Sequence, residues 1–288
     1  LTAPFQLFSR MRGGVYFSVA LSVGLPRPAV SWHLALWSPD FPHAASATRD
    51  RLAHSRVVFY HTEHKTRSIM TTCALVGATY FNEADFMRRY RAGEFDCIIA
   101  VDGGFAPLEA AGVVPDMAVG DFDSLGYVPR AKRVSRYPEH KDQSDMELAM
   151  EKAVNFRHDT LFIYGGIGGR LDHTLANLQL FASFSERGAY VTAIADAFAI
   201  RLITGPDAFT IPEGIDRGTV SVFAANDRTE GVIERGLEYS LDDEPLTNRT
   251  SLGLSNELIG QEASIAVESG TLYVFYPLAA AAEQVAGV

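Results

Sequence analysis

The chain has 288 residues, of which 47% are apolar and 21% are charged, a composition typical of a globular protein with one or two folded domains. This composition excludes a chain that is disordered throughout. A membrane-spanning helix needs roughly 18 consecutive apolar residues. The longest candidate, residues 15–25, is interrupted by two serines and a glycine, so no membrane association is expected.

The net charge of −10 is unevenly distributed along the chain. Residues before Met70 contain 8 Lys+Arg against 3 Asp+Glu, and the chain from Met70 onward contains 17 against 32. The acidic part offers no large surface for neutralising phosphates, so nucleic acid is not expected as a partner. A small phosphorylated ligand would need a metal ion to bridge it to the acidic side chains.

Two cysteines, Cys73 and Cys97, lie in apolar runs that are typical of buried strands. Their number and surroundings fit neither a disulfide framework nor a metal knuckle. They favour a reducing compartment, and we expect the protein to be cytoplasmic.

Residues 1–69 lack a sustained helical or strand period and are predicted to be a disordered or non-native extension. Arg10 and Arg12 precede an apolar run, as in a secretory signal, whereas the Arg-rich, acid-poor composition is typical of a transit peptide. A third interpretation places the true start at Met70, immediately before the first predicted strand, and we favour it.

From residue 73 onward, apolar strands alternate with helical patterns, which predicts a parallel sheet covered on both faces. The predicted strands are residues 73–77, 96–101, 117–119, 160–164 and 190–194, and the predicted helices are residues 83–92, 106–111, 145–156 and 173–184. After about residue 202, β-rich runs follow at residues 219–224, 231–234, 237–241, 263–268 and 271–276. We therefore predict an α/β domain, residues 70–203, and a β-sandwich domain, residues 204–288.

A glycine turn ends the second predicted strand, where Asp102, Gly103 and Gly104 follow an apolar run. Ligands of open α/β sheets collect outside the carboxyl ends of strands, and paired glycines let backbone approach a phosphate closely. A plain strand-to-helix turn explains this segment equally well.

The segment GDFDS places Asp121 and Asp123 on either side of Phe122, before Ser124. In an extended backbone the two acids point to one side and Phe122 points into the protein. Two carboxylates in one site repel each other, so Mg²⁺, which takes one or two carboxylates plus substrate phosphates, is the natural partner. The alternative is a surface Asx turn. This alternative is less favoured, because a solvent-exposed turn does not require an apolar residue such as Phe122 between the two acids.

A helix start is predicted at KDQSDMEL, where Ser144 and Glu147 have the spacing of a capping box. Asp145 then lies in the first helical turn. One interpretation is that Asp142 and Asp145 serve only to complement the positive end of the helix dipole. Alternatively, one of them adds a carboxylate to the cation site, and the nearby Lys141 offsets the negative charge of a phosphate.

The segment YGGIGGRLDHTLAN has four glycines at a strand-to-helix junction, among them Gly166 and Gly169. Glycines permit an anion-binding backbone, and the guanidinium of Arg170 matches a phosphate. Asp172 is either a functional acid or the helix N-cap, and His173 follows it on the first turn. The predicted core face of this helix is Leu171, Leu175, Leu178 and Ala182.

Each of these four segments follows a predicted strand or opens a predicted helix, so they converge along one edge of a parallel sheet. The sequence has neither GxxxxGK[ST] nor a well-formed GxGxxG, which disfavours a Walker-type site and an ordinary dinucleotide fold.

In this order, DGG, PDMAVGDFDS, KDQSDMELAM, GGIGGRLDH and GLSNEL resemble the thiamine pyrophosphokinase family over about residues 73–277. The resemblance implies an α/β nucleotide-binding domain followed by a β-sandwich, a homodimer, and Mg²⁺-dependent transfer of pyrophosphate from ATP to thiamine with release of AMP. It also implies metal-binding roles for Asp121, Asp123 and Asp145, with Asp145 beside the thiamine hydroxyl.

The remaining motif matches imply nucleotide or vitamin contacts. The nucleotide set is Asp102, Gly103, Gly104, Ser124, Lys141, Asp142, Gly166, Gly169, Arg170, Asp172 and His173, and Arg170 is also expected to act in catalysis. The vitamin set is Asp145, Ser255, Asn256 and Tyr239, the last where some family members have a Trp that stacks on thiamine across the dimer interface. The chain departs from the family in having Phe105 and Ala106 where an Asn often follows the glycine pair.

Three alternative functions remain open at this point. One is a diphosphokinase for another alcohol, such as a hydroxymethylpterin, since related domains share phosphate machinery. The others are a non-catalytic nucleotide sensor and a purely structural α/β domain, which is disfavoured because packing does not require four acid or glycine loops at strand ends. AMP formation from ATP with and without thiamine separates them.

Overall fold

The computed structural model describes residues 70–123 and 125–278, which all belong to one compact unit of the chain. The predicted extension, residues 1–69, lies outside the described residues. The described ranges contain fourteen strands, in chain order β1 (Thr72–Val76), β2 (Cys97–Val101), β3 (Met117–Gly120), β4 (Arg133–Arg136), β5 (Thr160–Tyr164), β6 (Tyr190–Ile194), β7 (Phe198–Thr204), β8 (Asp207–Thr210), β9 (Thr219–Ala224), β10 (Thr229–Arg235), β11 (Leu241–Leu246), β12 (Asn256–Glu257), β13 (Ser264–Val267) and β14 (Thr271–Pro277).

The same ranges contain four α-helices, α1 (Glu83–Arg91), α2 (Phe105–Ala110), α3 (Asp145–Asn155) and α4 (Leu171–Glu186), and a 3₁₀ turn, Asp102–Gly104. None of these helices is long and apolar enough to cross a membrane.

Ten strands form one mixed sheet in the order β12-β9-β14-β7-β6-β5-β1-β2-β3-β4. The strands from β6 to β4 in this order are parallel, as the sequence predicts, and β7, β14, β9 and β12 extend the sheet with antiparallel pairs. Strands β1, β2, β3 and β6 are almost wholly buried because both sheet faces are covered.

The core has two parts, one on each face of this sheet. On one face, Met146 and Met150 of α3 pack with Phe181 and Phe184 of α4. The other face carries α1 and α2, and farther along it packs against a separate antiparallel sheet with strand order β11-β10-β13-β8. The fold class is therefore confirmed as α/β with a parallel-strand sheet and a separate, sandwich-like antiparallel sheet. The predicted domain boundary between residues 203 and 204 stays a prediction, and the ten-stranded sheet contains strands from both sides of it.

One predicted strand, residues 237–241, is wrong. Leu237 makes only an isolated bridge to Leu258, and the strand β11 begins where the prediction ends. β11 has the sequence LDDEPL and lies at the sheet edge, where acids and Pro245 are tolerated because one side has no ladder to complete. The strand β4, RVSR, also lies at a sheet edge and is mostly exposed, so its sequence lacks the run of apolar residues that predicts a buried strand.

The start and core face of α4 also differ from the prediction. The helix begins at Leu171 after Arg170, so Asp172 is not its N-cap. Leu171 and Leu175 are exposed, and the buried residues of α4 all lie in its second half, where the sheet covers it: Phe181, Ala182, Phe184 and Ser185.

Candidate active site

The carboxyl ends of β2 and β3 bring two acidic loops into contact. Asp102 opens the 3₁₀ turn with a φ of 46°, and Asp121 follows Gly120 at the end of β3. Gly120 has a φ of 154°, and a Cβ atom there would lie 3.0 Å from the Cα atom of Asp102. The close approach of the two acidic loops therefore depends on a glycine at this position.

A lysine links two of the acids at this edge. Lys141 Nζ lies 3.1 Å from Asp145 Oδ1 and 3.8 Å from Asp121 Oδ2, and all three side chains are largely enclosed. Burial raises the pKa of Asp145; the ion pair with Lys141 opposes this, and the charges of Asp102 and Asp121 add to it. The carboxylates of Asp121 and Asp145 thus share the single ammonium group of Lys141, which leaves an excess of negative charge suited to a cation.

The GDFDS loop differs from the extended segment that the sequence predicts. Phe122 is buried as expected, but its φ is 63°, so the strict alternation of side chains is lost. The backbone N–H of Asp123 donates to Asp121 Oδ1 at 3.1 Å, and the side chain of Asp123 is exposed. The loop is therefore an Asx turn that orients Asp121 inward, and Ser124 lies outside the described residues.

The start of α3 fixes the position of Asp145. The Ser144 side chain accepts a hydrogen bond from the Glu147 N–H at 3.2 Å, which confirms the predicted N-cap. Asp145 is the first residue of the helix and Lys141 lies one turn before it, whereas Asp142 is exposed.

The glycine-rich loop after β5 is held by side chains of α4. Asn177 Nδ2 donates to the Gly166 carbonyl at 2.7 Å, and the Thr174 hydroxyl accepts from the Gly168 N–H at 3.1 Å. Thr79 donates to the Ile167 carbonyl at 3.1 Å from the loop after β1. These bonds fix the loop at the same sheet edge as the acids and set the backbone of Gly169, the next residue.

Arg170 and Asp172 pair with each other at the surface. Arg170 Nε lies 3.1 Å from Asp172 Oδ1, both side chains are mostly exposed, and His173 beside them is exposed as well. The pair raises the pKa of Arg170 and lowers that of Asp172. The guanidinium therefore lies at the solvent-exposed surface in this structure.

Asn256, a predicted vitamin contact, has its whole amide engaged by the protein. Its Nδ2 donates to the Tyr239 carbonyl at 2.6 Å and to Glu234 Oε2 at 2.9 Å, and its Oδ1 accepts from the N–H groups of Tyr239 and Glu257. An amide has two donors and about two acceptor positions, so none is left for a ligand. Asn256 instead clamps the turn that carries the exposed ring of Tyr239, while Ser255 beside it is exposed, with a φ of 58°.

Glu234 lies beneath this clamp and is fully buried. Its Oε2 accepts the bond from Asn256, and its Oε1 has no hydrogen-bond partner among the described residues. Burial raises the pKa of Glu234, because a buried carboxylate with one hydrogen bond is poorly solvated.

We expect Glu234→Gln to change the pH dependence of stability. The folded-state pKa is raised, so the stabilising effect of the proton is present at acidic pH and is lost as pH rises through the folded pKa. The free energy of unfolding of the variant relative to the parent should therefore increase as pH rises from about 4.3 to the folded pKa, with a slope approaching 1.4 kcal/mol per pH unit, and level off above it. Urea unfolding of both proteins between acidic and alkaline pH measures this difference. A difference that does not change with pH would contradict a raised pKa of Glu234.

Two family models match the chain in sequence order. The thiamin pyrophosphokinase catalytic domain matches residues 90–193, and the thiamin pyrophosphokinase vitamin B1 binding domain matches residues 208–272. Together the matches cover more than half of the chain. The chain belongs to the thiamin pyrophosphokinase family.

Known members of the thiamin pyrophosphokinase family are similar over most of their own length. The thiamine pyrophosphokinase of Bacillus subtilis is 29% identical over 181 residues, which are 60% of this chain and 84% of that protein. The crystal structure of a Bacillus subtilis thiamine pyrophosphokinase matches at 25% identity with a TM-score of 0.60, covering 72% of this chain and 99% of that one. The yeast enzyme, 15% identical with a TM-score of 0.60, covers 74% of this chain and 88% of its own and supports the fold alone.

The acid cluster suits a magnesium ion that is shared with phosphates. Among the described residues, no three His, Cys, Asp or Glu side chains are arranged to hold a metal by themselves. Mg²⁺ rarely needs such a cage, because it commonly takes one or two carboxylates and completes its shell with substrate phosphates and water. The oxygens of Asp121 and Asp145, and the excess negative charge around Lys141, fit that chemistry.

The sequence reasoning missed Thr174, Asn177 and Glu234. Polar residues on the first turns of the helix after a glycine-rich loop would have indicated the first two, since they are within reach of the loop carbonyls. Glu234 follows the buried Val232 by two residues, so the period of a strand places an acid on the buried face of β10. That alternation was visible in the sequence.

Proposed function

We propose that this chain is a thiamine pyrophosphokinase, which transfers the pyrophosphate group of ATP to the hydroxyethyl oxygen of thiamine and releases AMP. The observation that carries the proposal is the occurrence of a catalytic-domain match and a vitamin B1 binding-domain match on one chain, with an acid cluster at the sheet edge in the former.

The reaction requires a neutral alcohol to attack the β-phosphorus of a highly charged nucleotide. The new bond joins the thiamine oxygen to the β-phosphorus, and the bond from that phosphorus to the oxygen bridging the α-phosphate breaks, so AMP departs with the bridging oxygen. Mg²⁺, proposed to be held by Asp121, Asp123 and Asp145, supplies charge neutralisation on the phosphates. Lys141, already between Asp121 and Asp145, is the nearby cation for a phosphate oxygen.

Asp145 is proposed to orient the thiamine hydroxyl and to accept its proton. Its enclosed carboxylate lies at the helix start, and burial raises its pKa above the ordinary Asp value. A raised pKa makes the carboxylate a stronger base, although it is still a weak one for an alcohol. Orientation is therefore its larger contribution.

The nucleotide is proposed to lie against the glycine turn of residues 102–104 and the loop with Gly166 and Gly169. The bonds from Thr174 and Asn177 hold the second loop in place before substrate arrives. Arg170 is exposed and pairs with Asp172, an exposed acid, so turning toward a phosphate requires the loss of this surface ion pair.

Thiamine is proposed to lie against Tyr239, with Ser255 beside it and Asn256 acting through the backbone of Tyr239. Several apolar side chains around this segment are exposed, namely Tyr239, Leu252, Leu254 and Ile259. Exposed apolar side chains near one segment are typical of an interface. We therefore propose a homodimer in which this surface is covered, and light scattering of the purified chain gives the mass that tests it.

We expect Tyr239→Ala to raise the KM for thiamine about tenfold, because the cationic ring of thiamine would lose its stacking contact with the Tyr239 ring. The KM for ATP should stay unchanged, because the nucleotide loops are on a different part of the chain. Tyr239→Phe is the matched control and should keep both constants near the parent values, since the ring remains. Steady-state kinetics measures these values, and an unaltered thiamine KM in Tyr239→Ala would remove the ring from the vitamin site.

The experiment that tests the proposed function is an assay of AMP formed from ATP and Mg²⁺. Thiamine should be required for AMP release, and a hydroxymethylpterin should not replace it. ATP binding without thiamine-dependent AMP would instead indicate a nucleotide sensor. We also propose a cytoplasmic location, which accords with two cysteines that are both free thiols.

A further inference from the structure

The two cysteines of the chain are direct partners in neighbouring parallel strands. Cys73 of β1 is in register with Cys97 of β2. Neighbouring strands lie about 4.8 Å apart, a separation inside the range of about 4.4–6.8 Å that disulfides span between Cα atoms. Both side chains pack with the α3 side of the core, and the Cys73 thiol donates to the carbonyl of Ala74 at 3.8 Å.

A cavity of about 310 Å³ opens at the amino-terminal edge of the sheet, and Cys97 lines it. Cys97 is partly exposed, whereas Cys73 beneath it is fully buried. Asp102 lies at the other end of β2, so the cavity is separated from the acid cluster by the length of a five-residue strand, about 13 Å.

The groups around the cavity favour the thiolate form of Cys97. The neighbouring thiol of Cys73 lowers the pKa of Cys97, burial and Asp116 oppose this, and Lys132 and Arg133 assist it. Burial raises the pKa of Cys73 well above its usual value. Cys97 is therefore the accessible and more nucleophilic thiol, and Cys73 is the slower one behind it.

We propose that Cys97 and Cys73 form a reactive dithiol that is oxidised by small disulfides entering the cavity. The Cys97 thiolate attacks one sulfur of the external disulfide, forms a mixed disulfide and expels the first small thiol. Cys73 then loses its proton and attacks the Cys97 sulfur, which forms the Cys73–Cys97 bond and expels the second small thiol. The external disulfide is reduced by two electrons, and the protein thiols supply both electrons and both protons.

The test treats the folded 288-residue chain with dithiodipyridine, a neutral disulfide whose released thiol absorbs light. We expect two equivalents of released thiol in two phases, the second slower, and an intact mass lower by two hydrogens. Cys97→Ala should abolish release from the native chain, because Cys73 has no access to the cavity. Cys73→Ala should release one equivalent and retain the mixed disulfide.

Cys73→Ser serves in place of Cys73→Ala if the alanine variant fails to fold, with thermal unfolding as the check for each protein. A parent chain that keeps a mixed disulfide, or releases thiol only after denaturation, would overturn the proposal. So would a Cys97→Ala variant that reacts as fast as the parent. None of these readouts uses pyrophosphate transfer, so the proposal stands or fails independently of the proposed function.

Discussion

Asp121→Asn is expected to reduce pyrophosphate transfer about 1,000-fold or more, the effect of losing roughly 4 kcal/mol of transition-state stabilisation. The Asp121 carboxylate is largely enclosed, and its Oδ2 lies 3.8 Å from Lys141 Nζ. The substitution removes one of the charges proposed to hold Mg²⁺ and leaves the phosphates less neutralised. The thermal midpoint should change little, because an Asn side-chain oxygen still accepts the Asp123 N–H bond that closes the turn.

Asp216→Asn is the matched control for this substitution, since the Asp216 side chain is exposed and lies outside the acid cluster. Turnover of this control should equal that of the parent. Asp123→Asn addresses the second proposed metal acid, and loss of turnover there would support a metal role for an acid that is exposed in this structure. Turnover of Asp121→Asn within tenfold of the parent would contradict the metal site.

Gly104→Ala is expected to destabilise the folded chain by about 4 kcal/mol or more, among the larger effects of single substitutions. A Cβ atom at Gly104 would lie only 1.8 Å from the carbonyl oxygen of Val76. The Cβ atom would also meet the backbone of Gly77, the residue after β1, and neither Val76 nor Gly77 can move aside without breaking the sheet edge. Urea unfolding should show the loss as a lower midpoint at an unchanged slope.

Gly112→Ala separates this steric effect from backbone strain. Gly112 has a φ of 72° and open space around its Cβ position, so its substitution should cost only about 1–2 kcal/mol. Gly104 has a φ of −64°, which alanine adopts freely, so its larger loss can only come from the contact with Val76. Equal losses in the two variants would contradict the close packing of the loops after β1 and β2.

The sequence predicts the parallel half of the fold well because buried strands are continuous apolar runs. Residues 160–164 and 190–194 are predicted as strands with the bounds that the structure has. Polar edge strands such as β4 have no comparable signal. The strand β7, FAIRLIT, is apolar but follows β6 without a helix, so an expectation of strict strand–helix alternation hides it.

The candidate site is predicted by position rather than by side-chain direction. Strand ends and the start of a helix indicate that Asp102, Asp121 and Asp145 share one sheet edge, and the structure places them there with Lys141. The positive φ of Phe122 turns Asp123 outward, and the periodicity of apolar residues carries no information on the sign of φ.

Asn256 shows a second limit of reading function from residue types. Its motif resembles a vitamin contact, but the structure uses the whole amide to hold Tyr239 and Glu234. Hydrogen-bond partners distant in sequence, such as these 17 and 22 residues away, depend on strand register, which the sequence alone does not specify.

The most direct test of the central claim is the fate of ATP labelled at its β-phosphorus. With thiamine and Mg²⁺, the label should appear in thiamine diphosphate in equal amount to the AMP released, and Asp121→Asn should abolish both. Label recovered in ADP or in inorganic phosphate, with thiamine unchanged, would contradict pyrophosphate transfer by this chain.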